Sequence, residues 1–178
     1  MNVLLGLTGS VASSVAPKLV QALQASGHEV QVVATQASFY FFHEQNLGGV
    51  RVWRDKDEWP AMGYRKGQPI PHIDLGKWAD VFLVAPLSAN TLGKFSNGLC
   101  DNLLTCVFRA WDCRKRIIVA PAMNTNMWNH PLTLMQLKRL TEVVDRLTLV
   151  EPVVKTLACG DTGIGAMADV DTIIGTIR

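Results

Sequence analysis

The sequence predicts an α/β protein in which helices cover both faces of a mostly parallel sheet. Short runs rich in β-branched and apolar residues recur along the chain, at 2–8, 29–35, 81–85 and 116–120. Such runs are typical of strands buried on both faces, and helical patterns separate them. A chain of 178 residues is long enough for one well-buried domain and too short for two ordinary ones. We therefore expect a single domain over residues 1–178, with a three-layer α/β/α, Rossmann or flavodoxin-like architecture.

The first half of the chain begins as a βαβ unit. Residues 2–8 form a predicted strand, Gly9 and Ser10 turn it into a helix that runs to about Ser26, and residues 29–35 form the second strand. Gly27 stands where a helix commonly ends. A short aromatic helix at 39–42, a strand at 50–53 and a charged loop at 54–68 are expected next. Long loops in compact domains usually serve a site or an interface.

The second half repeats the pattern of strand and helix. A buried strand should end at Pro86 and another at Pro121, because proline has no N–H for the ladder. A loop is expected at 151–169, where three glycines fall within six residues. The remaining predicted elements are helices at 88–95, 102–111, 131–146 and 170–177, and a short strand at 147–150.

Composition excludes several classes of protein. Apolar residues make up 48% and charged residues 18% of the chain, as in globular proteins. The net charge is +2 without a run of Lys or Arg, so we expect no nucleic acid partner. No stretch is apolar enough to span a bilayer, and residues 1–10 lack the basic start of a signal peptide. Four cysteines without CxxC spacing favour a reduced, cytoplasmic protein without a metal site.

Polar residues follow the first two predicted strands. Gly9, Ser10 and Val11 open a helix whose backbone N–H groups would favour a phosphate. The third glycine of a dinucleotide fingerprint is missing, which suits a mononucleotide better. Thr35 and Ser38 could add hydroxyls to the same anion. The alternative is that these side chains only cap helices.

The predicted strand that ends at Pro86 is also followed by candidate ligand-binding residues. Ser88, Ala89, Asn90, Thr91 and Lys94 follow one strand, where their polar groups could bind the edge of a ring system or a ribityl chain. Capping explains one of these residues but hardly all of them.

The octapeptide PAMNTNMW follows the next strand, at 121–128. It offers the amide of Asn124, and Met123, Met127 and Trp128 form an apolar wall that suits a flat ligand. The alternative is an ordinary loop whose side chains pack.

Several of these segments resemble the flavin-dependent cysteine decarboxylases. PAMNTNMW is similar to their PxMNxxMW signature, and PLSANT at 86–91 and GLCDN at 98–102 resemble their flavin-binding segment. PHIDLGKWAD at 71–80 is similar to the HIxLxxWAD motif that carries their active-site histidine. ACGDTGIG at 158–165 resembles the ACGDxGxG substrate clamp of the branch with a pantothenoyl substrate. The resemblance covers residues 9–167.

The resemblance implies FMN as the cofactor and assigns roles to individual residues. His72 would be the base, Asn124 would orient the substrate, and Cys159 would be the acid. Asn124, Lys77, Ala158 and Met167 would contact the substrate, and Lys155 is a further candidate for a phosphate contact. The implied FMN contacts are Gly9, Ser10, Val11, Thr35, Ser38, Ser88, Ala89, Asn90, Thr91 and Met123.

The implied reaction converts N-(4′-phosphopantothenoyl)cysteine to 4′-phosphopantetheine in coenzyme A biosynthesis. The substrate thiol is oxidised to a thioaldehyde, whose C=S group accepts the electrons released with carbon dioxide, and the resulting enethiol is then reduced. The family is also typically a homotrimer or a multiple of one, with flavin and His72 meeting across an interface. Three alternatives stay open: a peptidyl-cysteine decarboxylase, a non-catalytic relative that regulates a phosphatase, and a flavodoxin-like electron carrier.

Overall fold

The central sheet has six strands, all parallel, in the order β3-β2-β1-β4-β5-β6. This sheet belongs to a computed structural model that describes residues 1–156, 160 and 162–177. From β1 the chain adds strands first toward one edge of the sheet, through β2 and β3, and then toward the other, through β4, β5 and β6. Ligands of open α/β sheets bind at such a switch point, which here lies between β1 and β4. The strands are β1 (Asn2–Leu7), β2 (Glu29–Ala34), β3 (Val52–Trp53), β4 (Val81–Leu87), β5 (Arg116–Pro121) and β6 (Leu147–Leu149).

Eight α-helices lie within the described residues. The first is preceded by a 3-10 helix at Val11–Val15, so the predicted first helix exists but begins as a tighter turn. A second 3-10 helix, Gln36–Tyr40, stands where the short aromatic helix was predicted. The α-helices are α1 (Ala16–Ala25), α2 (Asp55–Glu58), α3 (Pro71–Trp78), α4 (Ala89–Asn97), α5 (Leu103–Arg109), α6 (Thr125–Trp128), α7 (Pro131–Val143) and α8 (Val170–Gly175).

Helices cover both faces of the sheet and produce two buried cores. Along β1, Val3, Leu5 and Leu7 point into one core while Leu4 points into the other, as the alternation of a strand requires. Helices α1 and α8 contribute to the first core, and α3, α4, α5 and α7 to the second. The predicted three-layer α/β/α fold with a parallel sheet is therefore confirmed. Within the part of the chain that the structure describes, no helix has the length and apolar character that crossing a membrane requires.

Three local predictions were wrong. The predicted loop at 54–68 contains α2, and the predicted loop at 151–169 contains an antiparallel hairpin of β7 (Val153–Thr156) and β8 (Thr162–Ala166). The glycines and threonines of β8 lack the apolar alternation by which strands are recognised. Strand β4 also continues through Pro86 to Leu87. It can do so because the pairing with β5 shifts register between Val84 and Leu87, and such irregularities tolerate proline.

Candidate active site

The carboxyl ends of β1, β4 and β5 are joined by side-chain hydrogen bonds. The hydroxyl of Thr8 donates to the carbonyl of Pro86 over 2.7 Å and accepts the N–H of Ser88 over 2.8 Å. The hydroxyl of Ser10 donates to the carbonyl of Ala122 over 3.1 Å. The parallel sheet therefore brings the predicted segments after these strands to one edge. The hydroxyl of Thr8 is used within the protein, so it holds the edge together and is not free for a phosphate.

A cavity of about 600 Å³ opens at this edge. It lies between the turn after β1, the segment after β5 and the β7–β8 hairpin. Six of the predicted site residues line it, and they come from three distant parts of the sequence: Ser10, Val11, Met123, Asn124, Lys155 and Met167. Cavities of 300–1,000 Å³ with mostly apolar walls and a few polar groups are typical small-molecule sites.

The β7–β8 hairpin closes one side of the cavity by docking on the segment after β5. The N–H of Met123 donates to the carbonyl of Gly165 over 2.9 Å. Gly165 has φ +131°, and a Cβ there would lie 2.3 Å from the carbonyl oxygen of Met123. A Cβ on Gly163 would lie 2.2 Å from Oγ1 of Thr125. Both glycines therefore permit an approach that a larger residue would prevent.

Asn124 lies at the start of α6 with half of its amide engaged. Its Oδ1 accepts the N–H of Met127 over 2.8 Å, which caps the short helix. This bond orients the amide, and the NH₂ group, for which the described part of the chain offers no partner, can donate elsewhere. Because Asn124 is exposed and lines the cavity, its amide can donate to a carboxylate or carbonyl of a ligand.

Features around the turns after β1 and β2 fit a phosphate and a polyhydroxyl chain. A Cβ on Gly9 would lie 2.7 Å from Cβ of Ala37, so these two turns pack against each other. Oγ1 of Thr35 is buried, and no hydrogen-bond partner for it is found among the described residues. A buried hydroxyl of this kind is costly unless a ligand or water satisfies it. Ser38 donates its hydroxyl to the carbonyl of Thr35, so it shapes the turn.

The segment after β4 is partly explained by capping. The hydroxyl of Ser88 accepts the N–H of Thr91 and also contacts its hydroxyl, so both side chains hold the start of α4. Lys94 pairs with Asp101 over 2.7 Å, outside the expected cluster. Ala89 is partly buried beside them, and Asn90 is exposed. Contacts of these residues with FMN stay predictions.

His72 lies on the first turn of α3 and does not line the cavity. Its Nδ1 lies 2.6 Å from Oε1 of Glu58, and its backbone N–H donates to Oε2 of the same carboxylate over 3.0 Å. Beside this pair is a second hollow of about 740 Å³, whose lining includes Glu58, Trp59, Tyr64 and Pro71. Lys77 is five residues further along α3, about 140° around a helix of 3.6 residues per turn. His72 and Lys77 therefore face different directions.

Two predicted residues of the substrate clamp, Ala158 and Cys159, lie outside the described residues. Their neighbours Thr156 and Gly165 line the cavity. The roles of Ala158 and Cys159 stay predictions that follow from the sequence resemblance.

Two charged residues near the candidate site were not singled out from the sequence. Lys18 of α1 lines the cavity together with Lys155, whose ammonium group lies 2.6 Å from Oδ1 of Asp169. Lys18 lies on the first turn of α1, and nothing in the sequence pattern there points to a site. Glu58 lies in the segment predicted as a loop, and its contact with His72 spans fourteen residues of sequence. Only the fold brings these groups together.

Comparison with known proteins agrees with this fold. The Flavoprotein family matches residues 1–178, and the chain therefore belongs to that family of flavin-binding proteins. Within it, the chain is 49% identical to the phosphopantothenoylcysteine decarboxylase of Mus musculus, over 99% of this chain and 85% of that protein.

Solved structures show the same relationship. A cysteine-to-serine mutant of a phosphopantothenoylcysteine decarboxylase complexed with pantothenoylaminoethenethiol has a TM-score of 0.94 and 47% identity, over 99% of this chain and 96% of that one. The FMN-binding protein AtHal3 has a TM-score of 0.89 and 48% identity, over 99% of this chain and 94% of that one. The predicted relationship to these decarboxylases is confirmed.

Proposed function

We propose that this protein catalyses the FMN-dependent decarboxylation of N-(4′-phosphopantothenoyl)cysteine to 4′-phosphopantetheine, a step of coenzyme A biosynthesis. The observation that carries the proposal is the cavity that joins Asn124 to the β7–β8 hairpin, in a chain half identical to decarboxylases of that name. The prediction that the protein is a decarboxylase of this kind is confirmed by those relatives. The family match over residues 1–178 supports a single flavoprotein domain.

The prediction of FMN as the cofactor is confirmed by the Flavoprotein family and by the FMN-binding relative. When bound, FMN supplies the oxidation of the substrate thiol and the later return of two electrons. On the protein side, the buried hydroxyl of Thr35 and the backbone N–H of Val11 would hold its phosphate and ribityl chain, whereas the N–H of Ser10 already donates to the carbonyl of Thr8 over 2.7 Å. Met123 would pack against its ring.

The side chains of this chain have separate tasks in the proposed reaction. Asn124 donates its free NH₂ group to the substrate and fixes the carboxylate that will leave as carbon dioxide. His72 accepts the proton that is released when the thiol is oxidised. The hairpin excludes water from the cavity. This exclusion favours the reaction, because water would compete for the hydrogen bonds that orient the substrate. Cys159 donates the proton that completes the saturated thiol product.

His72 is not among the residues that line the cavity, which supports an assembly in which two copies complete one site. His72 is flanked by a segment, 59–70, with four exposed apolar side chains: Trp59, Met62, Tyr64 and Ile70. Contiguous exposed apolar surface is typical of protein interfaces. We propose a homotrimer or a multiple of one, in which this segment carries His72 to the cavity of a neighbouring copy. Light scattering of the purified protein tests it, and a monomer that retains full activity would contradict it.

We also place the protein in the cytoplasm. Cys100, Cys106 and Cys113 are free thiols, as is usual for proteins kept in a reducing compartment. Fractionation of cells that produce the protein would test this assignment, and recovery in a membrane or secreted fraction would contradict it.

The direct test incubates the flavin-loaded protein with N-(4′-phosphopantothenoyl)cysteine and measures carbon dioxide and 4′-phosphopantetheine together. Both products are expected in equal amounts. A peptide that ends in cysteine serves as the competing substrate, and an enethiol formed from that peptide alone would favour a peptidyl-cysteine decarboxylase. The absence of both products from protein with a full complement of FMN would overturn the proposal.

A further inference from the structure

Glu58 directs its whole carboxylate to one residue. Its Oε2 accepts the backbone N–H of His72, and its Oε1 lies 2.6 Å from Nδ1 of the same histidine. The side chain of Glu58 is only 8% exposed, while that of His72 is 26% exposed. One side of the imidazole is therefore held by a shielded carboxylate, and the ring keeps contact with solvent. The backbone bond anchors the carboxylate, and the anchored carboxylate holds the ring at Nδ1.

The type of partner decides which ring nitrogen carries the proton. An ionised carboxylate only accepts hydrogen bonds, so Nδ1 of His72 must donate to Glu58. A neutral imidazole has a single N–H, and with the proton on Nδ1 the lone pair is on Nε2. Nε2 is then the atom that can accept a proton from a substrate. The backbone bond to the same carboxylate prevents Glu58 from swinging away from the ring.

Glu58 also stabilises the start of α3, and this structural role has to be separated from a role in the reaction. Ile70 at the N-cap offers no side-chain acceptor, and Pro71 follows it. The carboxylate of Glu58 satisfies the otherwise unpaired N–H of His72 and lies near the positive end of the helix dipole. Asp74 makes a comparable contact, since its Oδ2 accepts the N–H of Ile70 over 3.2 Å. Asp74 is exposed, and its carboxylate bonds to Ile70 and not to His72 in the described structure, so it provides a matched control.

We propose that Glu58 is a positioning residue that holds His72 as the Nδ1–H tautomer and leaves Nε2 as the proton acceptor of the reaction. This inference rests on the proposed function only for the role of His72 as base. The tautomer itself is a property of the protein that can be measured without substrate.

The substitution Glu58→Gln tests the inference because glutamine offers one acceptor and one donor. The backbone N–H of His72 can only donate a hydrogen bond, so the glutamine oxygen must be the atom that accepts it. The glutamine NH₂ group then faces Nδ1, which can accept this bond only if the ring proton moves to Nε2. The variant therefore keeps the size and helix contact of Glu58 and reverses the tautomer.

Two measurements on the flavin-loaded protein follow from this. Long-range ¹H–¹⁵N NMR spectra, assigned with His72→Asn, should show Nδ1–H in the wild type and in Asp74→Asn, and Nε2–H in Glu58→Gln. Rapid mixing with substrate without oxygen should show flavin reduction slowed about 100-fold in Glu58→Gln, a loss typical of a missing general base. Substrate affinity should stay unchanged, and Asp74→Asn should react at the wild-type rate. Glu58→Asp, which keeps an acceptor-only carboxylate, should recover part of the rate.

The outcomes distinguish the possible errors. A wild-type protein with Nε2–H would overturn the inference even if Glu58→Gln fails to bind FMN. A Glu58→Gln variant that reduces flavin at the wild-type rate would also overturn it, and would leave Glu58 as a helix cap. If His72→Asn itself reduces flavin normally, the proposed role of His72 as base is wrong, although the measured tautomer would still stand.

Discussion

Gly165 and Met123 approach each other so closely that no side chain can be placed between them. The N–H of Met123 donates to the carbonyl of Gly165, while a Cβ on Gly165 would lie 2.3 Å from the carbonyl oxygen of Met123. Gly165 also has φ +131°, a conformation that residues with side chains rarely adopt. This contact fastens the β7–β8 hairpin to the segment that carries Asn124, and it therefore sets the shape of the cavity.

We expect Gly165→Ala to destabilise the protein and to weaken substrate binding. The strained backbone and the clash with Met123 should together lower the free energy of unfolding by about 2 kcal/mol or more. In a protein of this size that corresponds to a fall in Tm of roughly 4–8 °C, which calorimetry measures. Gly175→Ala is the control, because a Cβ at the end of α8 would meet nothing within 4 Å. Equal Tm values for the two variants would contradict this account of the hairpin.

Thr8→Val should show that the hydroxyl of Thr8 holds the carboxyl edge of the sheet together. Valine has nearly the same shape but leaves the buried carbonyl of Pro86 and the N–H of Ser88 unpaired. Two such losses cost roughly 2–4 kcal/mol, and chemical denaturation would detect the decrease. Thr172→Val on the exposed face of α8 should change stability by less than about 0.5 kcal/mol. If both variants unfold at the same denaturant concentration, the hydroxyl of Thr8 is not needed.

Asn124→Asp should preserve the fold and impair the reaction. An aspartate can still accept the N–H of Met127 and cap α6, but it loses the NH₂ group and places a negative charge opposite the substrate carboxylate. Loss of a hydrogen bond to a charged group predicts roughly a 10–100-fold lower kcat/KM. Asn126→Asp adds the same charge two residues away on α6, and it should leave steady-state kinetics nearly unchanged. An Asn124→Asp variant as active as Asn126→Asp would remove Asn124 from the site.

Cys159→Ser should separate decarboxylation from the final reduction. A hydroxyl is a much weaker acid than a thiol, so carbon dioxide should still be released while the enethiol accumulates. The yield of 4′-phosphopantetheine should fall about 100-fold, as expected for loss of a general acid. Mass spectrometry of the products would distinguish the two species. Cys113→Ser, at an exposed position, should behave as the wild type. Normal product from Cys159→Ser would show that another group donates the proton.

Cys106 should resist alkylation at neutral pH. Burial raises the pKa of its thiol to about 11, and the charges of Cys100 and of nearby carboxylates, Glu58 among them, act in the same direction. A raised pKa means less of the reactive thiolate, so the labelling rate should increase about tenfold per pH unit up to that value. Mass mapping after iodoacetamide treatment at pH 8 should find Cys100 and Cys113 modified first, since both are exposed. Denatured protein should label at all three positions, and equal rates in the folded protein would contradict the prediction.

The sequence predicted the features that depend on neighbours along the chain. The buried strands were recognised because runs such as Ile117–Val119 have no polar face, and Gly27 marked the end of α1. The segments that meet at the cavity could also be placed, because the ends of parallel strands share one edge. What could not be predicted depends on contacts between distant residues. Gly163 and Gly165 resembled loop glycines because only their contacts with Thr125 and Met123 reveal a docked strand.

The assignment of single side chains was limited for the same reason. Lys94 was grouped with the ligand-binding residues, since nothing in its helical pattern shows that Asp101 pairs with it. Glu58 was assigned to a loop, although its carboxylate contacts the residue that the family motif identifies as the base. Residue type and spacing therefore point to candidate ligand-binding residues better than to the residues that position them.

The hairpin forms a sheet of its own, and this separation has a consequence for the energetics of the site. Within the residues that the structure describes, β7 and β8 pair with each other and with none of the six central strands. If the hairpin moved away from the cavity, it would break its bond to Met123 but none of the ladder bonds of the central sheet. Two-stranded hairpins are barely stable alone in water, so the free energy that holds this one comes mainly from docking. The cavity can thus open at a cost well below that of unfolding the protein.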